Sequence, residues 1–359
     1  MKNFTPSTPS QNTVVVGMSG GVDSSVAAYL LKKQGYNVIG LFMKNWDEGE
    51  EDGACPATID YDDVIAVCET IGIPCYSVNF VKEYWDRVLA VCLDEYKAGH
   101  TPNPDILCNK EIKFQAFLNK AFELEADYIA TGHYCRNIVI EGTHHLAKGC
   151  DANKDQSYFL YTLTSEKLKK VLFPIGAIDK AEIKAIAREQ GLITADKKES
   201  MGICFIGKRD FKPFLQKYIS ATPGDFITPE GKAVGHHDGI AYYTIGQRKG
   251  LGVAAGEPLY VIGMEPDTNT LMVGNQTQRL KNELTASEVN YINGTALTEP
   301  TSVTLKIRLA AKGVTAILTP LADNRVHLKS ESALNDVAPG QSAVFYHDET
   351  LIGGGIIES

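Results

Sequence analysis

Apolar and polar positions change rhythm along this chain of 359 residues. The early part alternates short apolar runs with longer amphipathic ones. "TVVVGM" reads as a strand buried on both faces, and "SSVAAYLLKKQG" as a helix closed by Gly35. "NVIGLFM", "PCYSVNF" and "DYIATGH" repeat the strand pattern. "TIDYDDVIAVCETIG", "KEYWDRVLAVCLDEYKAG" and "EIKFQAFLNKAFELE" repeat the helical one, the last after a loop "HTPNPDILCNK". Apolar strands separated by helices predict an α/β fold, a parallel sheet covered on both faces. Ligands of such sheets bind at the carboxyl ends of the strands, which collects the glycine loop, "FMKNW" and "TGHY" in one crevice.

From Asp155 to about Phe205 the pattern stays helical, and Asp179 followed by Glu182 predicts a capped helix start. Beyond about residue 220, glycines and prolines punctuate β-rich runs such as "GIAYYTIG", "PLYVIGME", "SVTLKIRLAA" and "QSAVFYH". That spacing predicts small barrels or sandwiches. The expected organisation is an α/β catalytic domain over 1–205, a small central β-rich domain over 206–279 and a C-terminal β-barrel over 280–359.

Composition narrows the setting. Hydrophobic residues make up 44% and charged residues 22%, ordinary for a soluble globular protein. No apolar run reaches the roughly 20 residues that span a membrane. The stretch "MKNFTPSTPSQNT" lacks a secretory apolar core and reads as a loose tail. A cytoplasmic protein with no membrane partner is expected. In that reducing setting the eight cysteines, none in a CxxC pair, form neither a disulfide framework nor a zinc site. The net charge of -9 argues weakly against nucleic acid. Basic residues nevertheless gather in "NKEIKF", "ADKKES", "GKRDFK" and "GQRKG", which leaves RNA open as a partner.

The first strand runs into "GMSGGVDSS", that is Gly17, Met18, Ser19, Gly20, Gly21, Val22, Asp23, Ser24 and Ser25. Glycines let backbone N–H groups point at an anion, and the following helix adds its positive end. The lysine of the common phosphate loop is missing. An aspartate beside phosphates makes sense with Mg²⁺ between them, so Asp23 is the candidate metal ligand. A glycine turn that merely caps a helix is the bland alternative, and the full string is far more specific than that. It resembles the pyrophosphate-loop signature of the ATP pyrophosphatases. That resemblance implies a loop cradling the β and γ phosphates of ATP while an oxygen is adenylated.

Cys108 lies in "NPDILCNKEIKF", near a helix start flanked by Lys110 and Lys113. Cys204 lies in "ESMGICFIGKRDF", just before Lys208 and Arg209. Helix N-termini and cations lower a thiol pKa, and the thiolate is the nucleophile. Either alone reads as a buried core cysteine; as a pair beside a pyrophosphate loop they point to sulfur transfer. A pyrophosphate-loop ligase fed by a glutaminase has no use for them, and a tRNA-binding module without catalysis has no use for the loop.

"GMSGGVDSSVAAYLL", "NPDILCNKEIKF", "ATGHY", "NKDQSYFLYTL", "GICFIG", "YYTIGQRKGLG" and "PGQSAVFY" followed by "GGGIIE" together resemble the bacterial tRNA-specific 2-thiouridylases, in order from residue 13 to the end. The resemblance implies ATP- and Mg²⁺-dependent thiolation of the wobble uridine in tRNAs for Lys, Glu and Gln. It makes Cys108 the nucleophile and Cys204 a persulfide carrier loaded by a sulfur carrier protein, the two ending as a transient disulfide. Asp105 becomes a candidate acid/base, with a turn-stabilising role after Pro104 as the alternative. For ATP it implies the residues from Gly17 to Ser24, Met43 and Gly132. For the tRNA anticodon arm it implies Asn103, Pro104, Asp105, His133, Lys154, Asp155, Gln156, Arg308 and Gln341. One stretch departs from the family: after Arg308 the chain reads Leu309-Ala310, which cannot stack on a base. Lys306, Arg308 and Lys312 are left there to meet phosphates.

Overall fold

The computed structural model describes residues 2–47, 56–198, 210–253 and 256–358. The first strands are β1 (Thr13–Met18), β2 (Asn37–Lys44), β3 (Cys75–Asn79) and β4 (Tyr128–Ala130). A hairpin of β5 (Cys135–Ile140) and β6 (Thr143–Lys148) follows, then the short β7 (Val171–Leu172). Five of these form a parallel sheet in the order β3-β2-β1-β4-β7. Val14, Val16 and Met18 pack with α1 (Val22–Lys33) and α2 (Pro56–Ile71) on one face. Val15 packs on the other, against two continuous helices, α3 (81–97) and α4 (104–123). Both faces are covered, which is why no position of "VVV" is polar.

Three expectations are corrected here. The stretch from Asp155 is not helical throughout: β7 lies within it, pairing Val171 with Ile129. Two residues are too few to show an alternation, so only the partner strand defines it. Asp179 does stand at the N-cap of α5 (Lys180–Glu189), but its side chain makes no capping bond. Instead the Lys180 N–H donates to the distant Asp151 Oδ2 at 3.2 Å. The N-terminal stretch is not loose. Asn3 donates to the Phe173 carbonyl at 2.7 Å, and the Phe4 N–H donates to the Asn137 carbonyl at 2.6 Å.

The central region holds α6 (Phe211–Gln216) and the strands β8 (Gly224–Ile227), β9 (Ala233–His237), β10 (Tyr260–Glu265) and β11 (Thr270–Gly274), in the sheet order β10-β11-β8-β9. "GIAYYTIG" is no strand but a tight turn over Ile240–Tyr242, held where the Tyr242 hydroxyl donates to the Ile219 carbonyl at 2.6 Å. The last strands are β12 (Leu280–Tyr291), β13 (Thr301–Lys306), β14 (Val314–Leu321), β15 (Arg325–Asn335), β16 (Ser342–His347) and β17 (Thr350–Ile357). They run β12-β15-β14-β13-β16-β17, and β17 pairs back onto β12 to close a barrel around Leu305, Leu318, Leu328 and Phe345. Closure leaves no strand edge to aggregate.

The barrel is joined to the α/β domain by two devices. The β5–β6 hairpin lies alongside β17, pairing Ala147 with Thr350. The "NKDQSYFLYTL" segment then bonds the barrel directly. Tyr158 Oη lies 3.2 Å from the Ile307 carbonyl and 3.0 Å from that of Ser342, while Asn290 donates to the carbonyls of Tyr161 and Leu163 at 2.6 and 2.8 Å. Among the described residues no helix is long and apolar enough to cross a membrane.

Candidate active site

The glycine loop turns between β1 and α1 at the carboxyl end of the sheet. Gly20 has φ +70°, and a Cβ there would lie 2.6 Å from the Asp60 carbonyl oxygen. Only glycine meets both demands without strain. The loop is backed by Gly132, whose Cβ would come within 2.7 Å of the Ser24 nitrogen. A Cβ on Gly17 would lie 3.2 Å from Met43 and 3.4 Å from Phe117, so Gly17 lets both side chains close over the strand end. The proposed nucleotide residues thus converge. Met18 and Val22 are buried core residues there. Ser24 is buried and spends its hydroxyl inside the loop, donating to the Gly21 carbonyl at 3.1 Å and accepting from the Ser19 N–H at 3.2 Å.

Asp23 is held more tightly than a sequence shows. Lys180, 8% exposed, donates from Nζ to both carboxylate oxygens at 2.7 and 2.8 Å. The Tyr134 hydroxyl donates to Oδ1 at 2.7 Å. Sequence reasoning missed Lys180, which lies 157 residues downstream. Tyr134 stood in the quoted "TGHY", and its hydroxyl was the available signal. Among the described residues no group of three or more His, Cys, Asp or Glu could hold a metal ion. One carboxylate completed by phosphate oxygens is nonetheless the donor set Mg²⁺ accepts, and Asp23 fits that part.

Cys108 sits differently from expectation. Asn-Pro-Asp is not a turn ahead of a helix but the cap and first turn of α4: Asn103 Oδ1 accepts from the Ile106 N–H at 3.3 Å and Pro104 occupies the first helical position. Asn103, not Asp105, therefore does the capping. Cys108 is inside the helix, buried, and begins a wide-turned π segment over Cys108–Ala116 that kinks at Phe114 (φ -109°, ψ 17°). Such segments concentrate at functional sites. Beyond the kink the same helix carries Phe117 to Gly17, so one continuous element leads from the thiol to the end of β1 at the glycine loop. Burial pushes the Asp105 carboxyl above its ordinary value, with Lys113 pulling the other way.

A cavity of about 390 Å³ opens here, within the range of small-ligand sites. Asn103, Pro104, Asp105, Phe211, Thr244 and Gln341 line it, drawn from three regions of the chain. Cys204 lies outside the described residues. The chain before it is pinned where Lys197 Nζ meets Asp60 at 2.7 Å and Asp63 at 2.5 Å, beside the glycine loop. The chain after it re-enters at Asp210, and Phe211 lines the cavity. The flanks of the Cys204 segment therefore bracket both halves of the site.

The other RNA candidates are not gathered at this cavity. His133 is 7% exposed, bonded to Thr131 Oγ1 at 2.8 Å and 3.4 Å from Lys113 Nζ, and burial holds it well below the usual histidine range. Asp155, also buried, accepts from the N–H groups of Gly149 and Ser157, and Gln156 accepts from the Tyr134 N–H at 3.0 Å. These bonds fix the start of the segment whose Ser157 and Tyr158 meet the barrel, and Lys154 immediately precedes them. Arg308 reaches the carbonyls of Ile245 and Asp336 at 3.3 and 3.2 Å, tying barrel to central region while remaining partly exposed.

A parallel sheet with a lysine-free glycine loop, carrying a small β domain and a closed barrel, defines a nucleotide-binding enzyme of the HUP class with two appended β domains. The matching family descriptions are the tRNA methyl transferase HUP domain over residues 12–208, the tRNA methyl transferase PRC-barrel domain over 212–275 and the aminomethyltransferase beta-barrel domain over 281–357. The tRNA-specific 2-thiouridylase MnmA of Geobacillus thermodenitrificans is 51% identical over 357 residues, covering 98% of this chain and 95% of the relative. That of Lysinibacillus sphaericus is 52% identical over 355 residues with the same coverage. The chain belongs to the tRNA-specific 2-thiouridylase family. The solved U34-tRNA thiolase NcsA from Methanococcus maripaludis, with its [4Fe-4S] cluster, is 22% identical, covering 57% of this chain and 62% of its own, with a TM-score of 0.36.

Proposed function

We propose that the protein carries out ATP-dependent 2-thiolation of the wobble uridine in tRNAs for Lys, Glu and Gln, in the cytoplasm. The observation that supports it is α4 itself, which carries buried Cys108 and places its cap and first-turn residues Asn103, Pro104 and Asp105 in the lining of the cavity. The same helix brings Phe117 against the end of β1 at the lysine-free phosphate loop. ATP with Mg²⁺ supplies the activation that turns the C2 carbonyl oxygen into a leaving group, with release of pyrophosphate. In this reading the loop N–H groups hold the phosphates, Met43 lies against the adenine, and Asp23 holds the metal. A base worked on chemically leaves its stack, and the cavity beside Asn103, Pro104 and Asp105 receives it. Asp105 keeps its proton to higher pH than an ordinary aspartate, which suits an acid/base.

A sulfur carrier protein loads Cys204 with a persulfide. Its outer sulfur goes to C2, either directly or as hydrosulfide released by Cys108, AMP leaves, and Cys108 and Cys204 end as a disulfide. The domain over 1–205 does the chemistry, while those over 206–279 and 280–359 grip the anticodon arm. His133, Lys154, Asp155, Gln156, Arg308 and Gln341 support that grip, several of them by holding domains together. Methyl transfer, which two of the family descriptions name, has no use for a pyrophosphate loop or for paired cysteines.

The test is mass spectrometry of nucleosides from unmodified tRNA incubated with the protein, ATP, Mg²⁺ and a persulfide donor. Appearance of 2-thiouridine only with ATP is expected. No modified nucleoside, with AMP and pyrophosphate formed on a small molecule instead, would replace this reading with that of a ligase.

A further inference from the structure

The loop read as a phosphate cradle contains one charged side chain, the carboxylate of Asp23, and it has the wrong sign. Phosphate loops ordinarily set a lysine against the chain's phosphates as a point charge. The structure brings an ammonium to this place from elsewhere. Lys180 opens α5, which packs beside α1, and its Nζ lies 2.7 and 2.8 Å from the two Asp23 oxygens. Its backbone is fixed by Asp151, and its ammonium lies 5.5 Å from the centre of the Tyr134 ring. The side chain is 10% exposed, so the chain has withdrawn a strongly hydrated cation from water at the one point where the glycine loop meets the helix.

We propose that Lys180 is the phosphate-binding cation of the nucleotide site, delivered from α5 instead of from the loop. A pair whose only purpose was stability would be a weak device, because desolvating two charges costs about as much as their attraction returns. A pair that separates on binding has a clear use. Without nucleotide, Asp23 and Lys180 neutralise each other. With nucleotide, the carboxylate turns to the divalent cation and the ammonium to the β and γ oxygens, neither charge being left alone. Tyr134 keeps Oδ1 oriented through the exchange. The inference rests on the reading of the loop as an ATP site.

Equilibrium titration of ATP and of AMP, each with Mg²⁺, into the wild type, K180M and K180R tests it. Loss of ATP affinity in K180M by tenfold or more is expected, with AMP affinity within twofold of wild type and K180R intermediate. A damaged loop would weaken both nucleotides equally, so equal losses overturn the proposal, as does unchanged ATP affinity in K180M. The double variant D23N/K180M leaves no unpaired charge and serves if K180M fails to fold. Compared with D23N alone it should again lose ATP affinity tenfold and keep AMP affinity. If the wild type itself binds no ATP, the nucleotide reading falls, and with it the role of Lys180.

Discussion

The side-chain amide of Gln341, just ahead of β16, donates to the carbonyls of Thr101 at 2.8 Å and Pro102 at 3.2 Å, 240 and 239 residues earlier. The neighbouring Pro339 carbonyl accepts from the Thr101 N–H at 2.8 Å. The barrel thus grips the segment that leads into Asn103 and Pro104, and the cavity is shaped by contact between domains. In this arrangement Gln341 fixes the segment that carries Asn103 and Pro104 into the cavity lining.

Gln341→Ala removes two hydrogen bonds and leaves two carbonyls without that donor, a cost of about 1–2 kcal/mol. Thiolation measured as kcat/KM for tRNA should fall roughly tenfold, with ATP affinity unchanged. Gln341→Glu, which has the same shape and no N–H to donate, should do no better. A drop confined to ATP would contradict the positioning role.

Cys108→Ser and Cys204→Ser should each abolish thiolation while tRNA binding, followed by gel shift, stays within a fewfold of wild type. A thiol that acts only as buried packing would leave turnover largely intact when replaced by a hydroxyl of similar size. Wild-type thiolation in either variant rules out the two-cysteine mechanism.

The legible parts of this protein are those built from consecutive residues. The glycine loop needs its turn, its anion-facing N–H groups and its helix start in one string, and Gly20 and Gly21 announce it. Cys108 was legible as a residue and misjudged in place, although Asn103-Pro104 is an N-cap followed by a first-turn proline. The β5–β6 hairpin, absent from the sequence reading, was also signalled: Glu141-Gly142, both at positive φ, form the kind of two-residue turn that joins right-twisted strands. Lys180 carried no signal at all. Its function depends on a carboxylate 157 residues away, and no spacing rule connects the two. Tyr158 is similar, since the carbonyls it meets, those of Ile307 and Ser342, lie in the barrel 149 and 184 residues away.

The raised Asp105 carboxyl has a consequence for stability. Its folded value lies above the ordinary 3.8, so its contribution is fully present below 3.8 and is lost as pH rises through the folded value. Asp105→Asn has nothing to titrate. Denaturant unfolding from pH 4 upward should show wild type losing stability relative to this variant as pH rises, then levelling off. A difference that grows in favour of wild type would mean the carboxylate is stabilised in the fold, against its burial. Thiolation by Asp105→Asn should fall about a hundredfold if the group moves a proton.

Gly132 offers the sharpest steric test of the loop. A Cβ at this position would lie 2.7 Å from the Ser24 nitrogen, 2.8 Å from the Asp23 carbonyl carbon and 3.1 Å from Asp23 Cβ. The first two are backbone atoms, so no rotamer change relieves the clash; either the end of β4 or the first turn of α1 has to move. Overpacking of this kind costs about 1–3 kcal/mol. Because the displaced atoms carry Asp23, the damage should appear in nucleotide binding before it appears in folding. Gly132→Ala is expected to weaken ATP by more than tenfold, lower the melting temperature by a few degrees and leave tRNA affinity alone. Gly256→Ala, where the added methyl meets nothing within 4 Å, is the matched control and should change neither. Full ATP affinity in Gly132→Ala would show that the contact between β4 and the loop is not what holds the nucleotide site in shape.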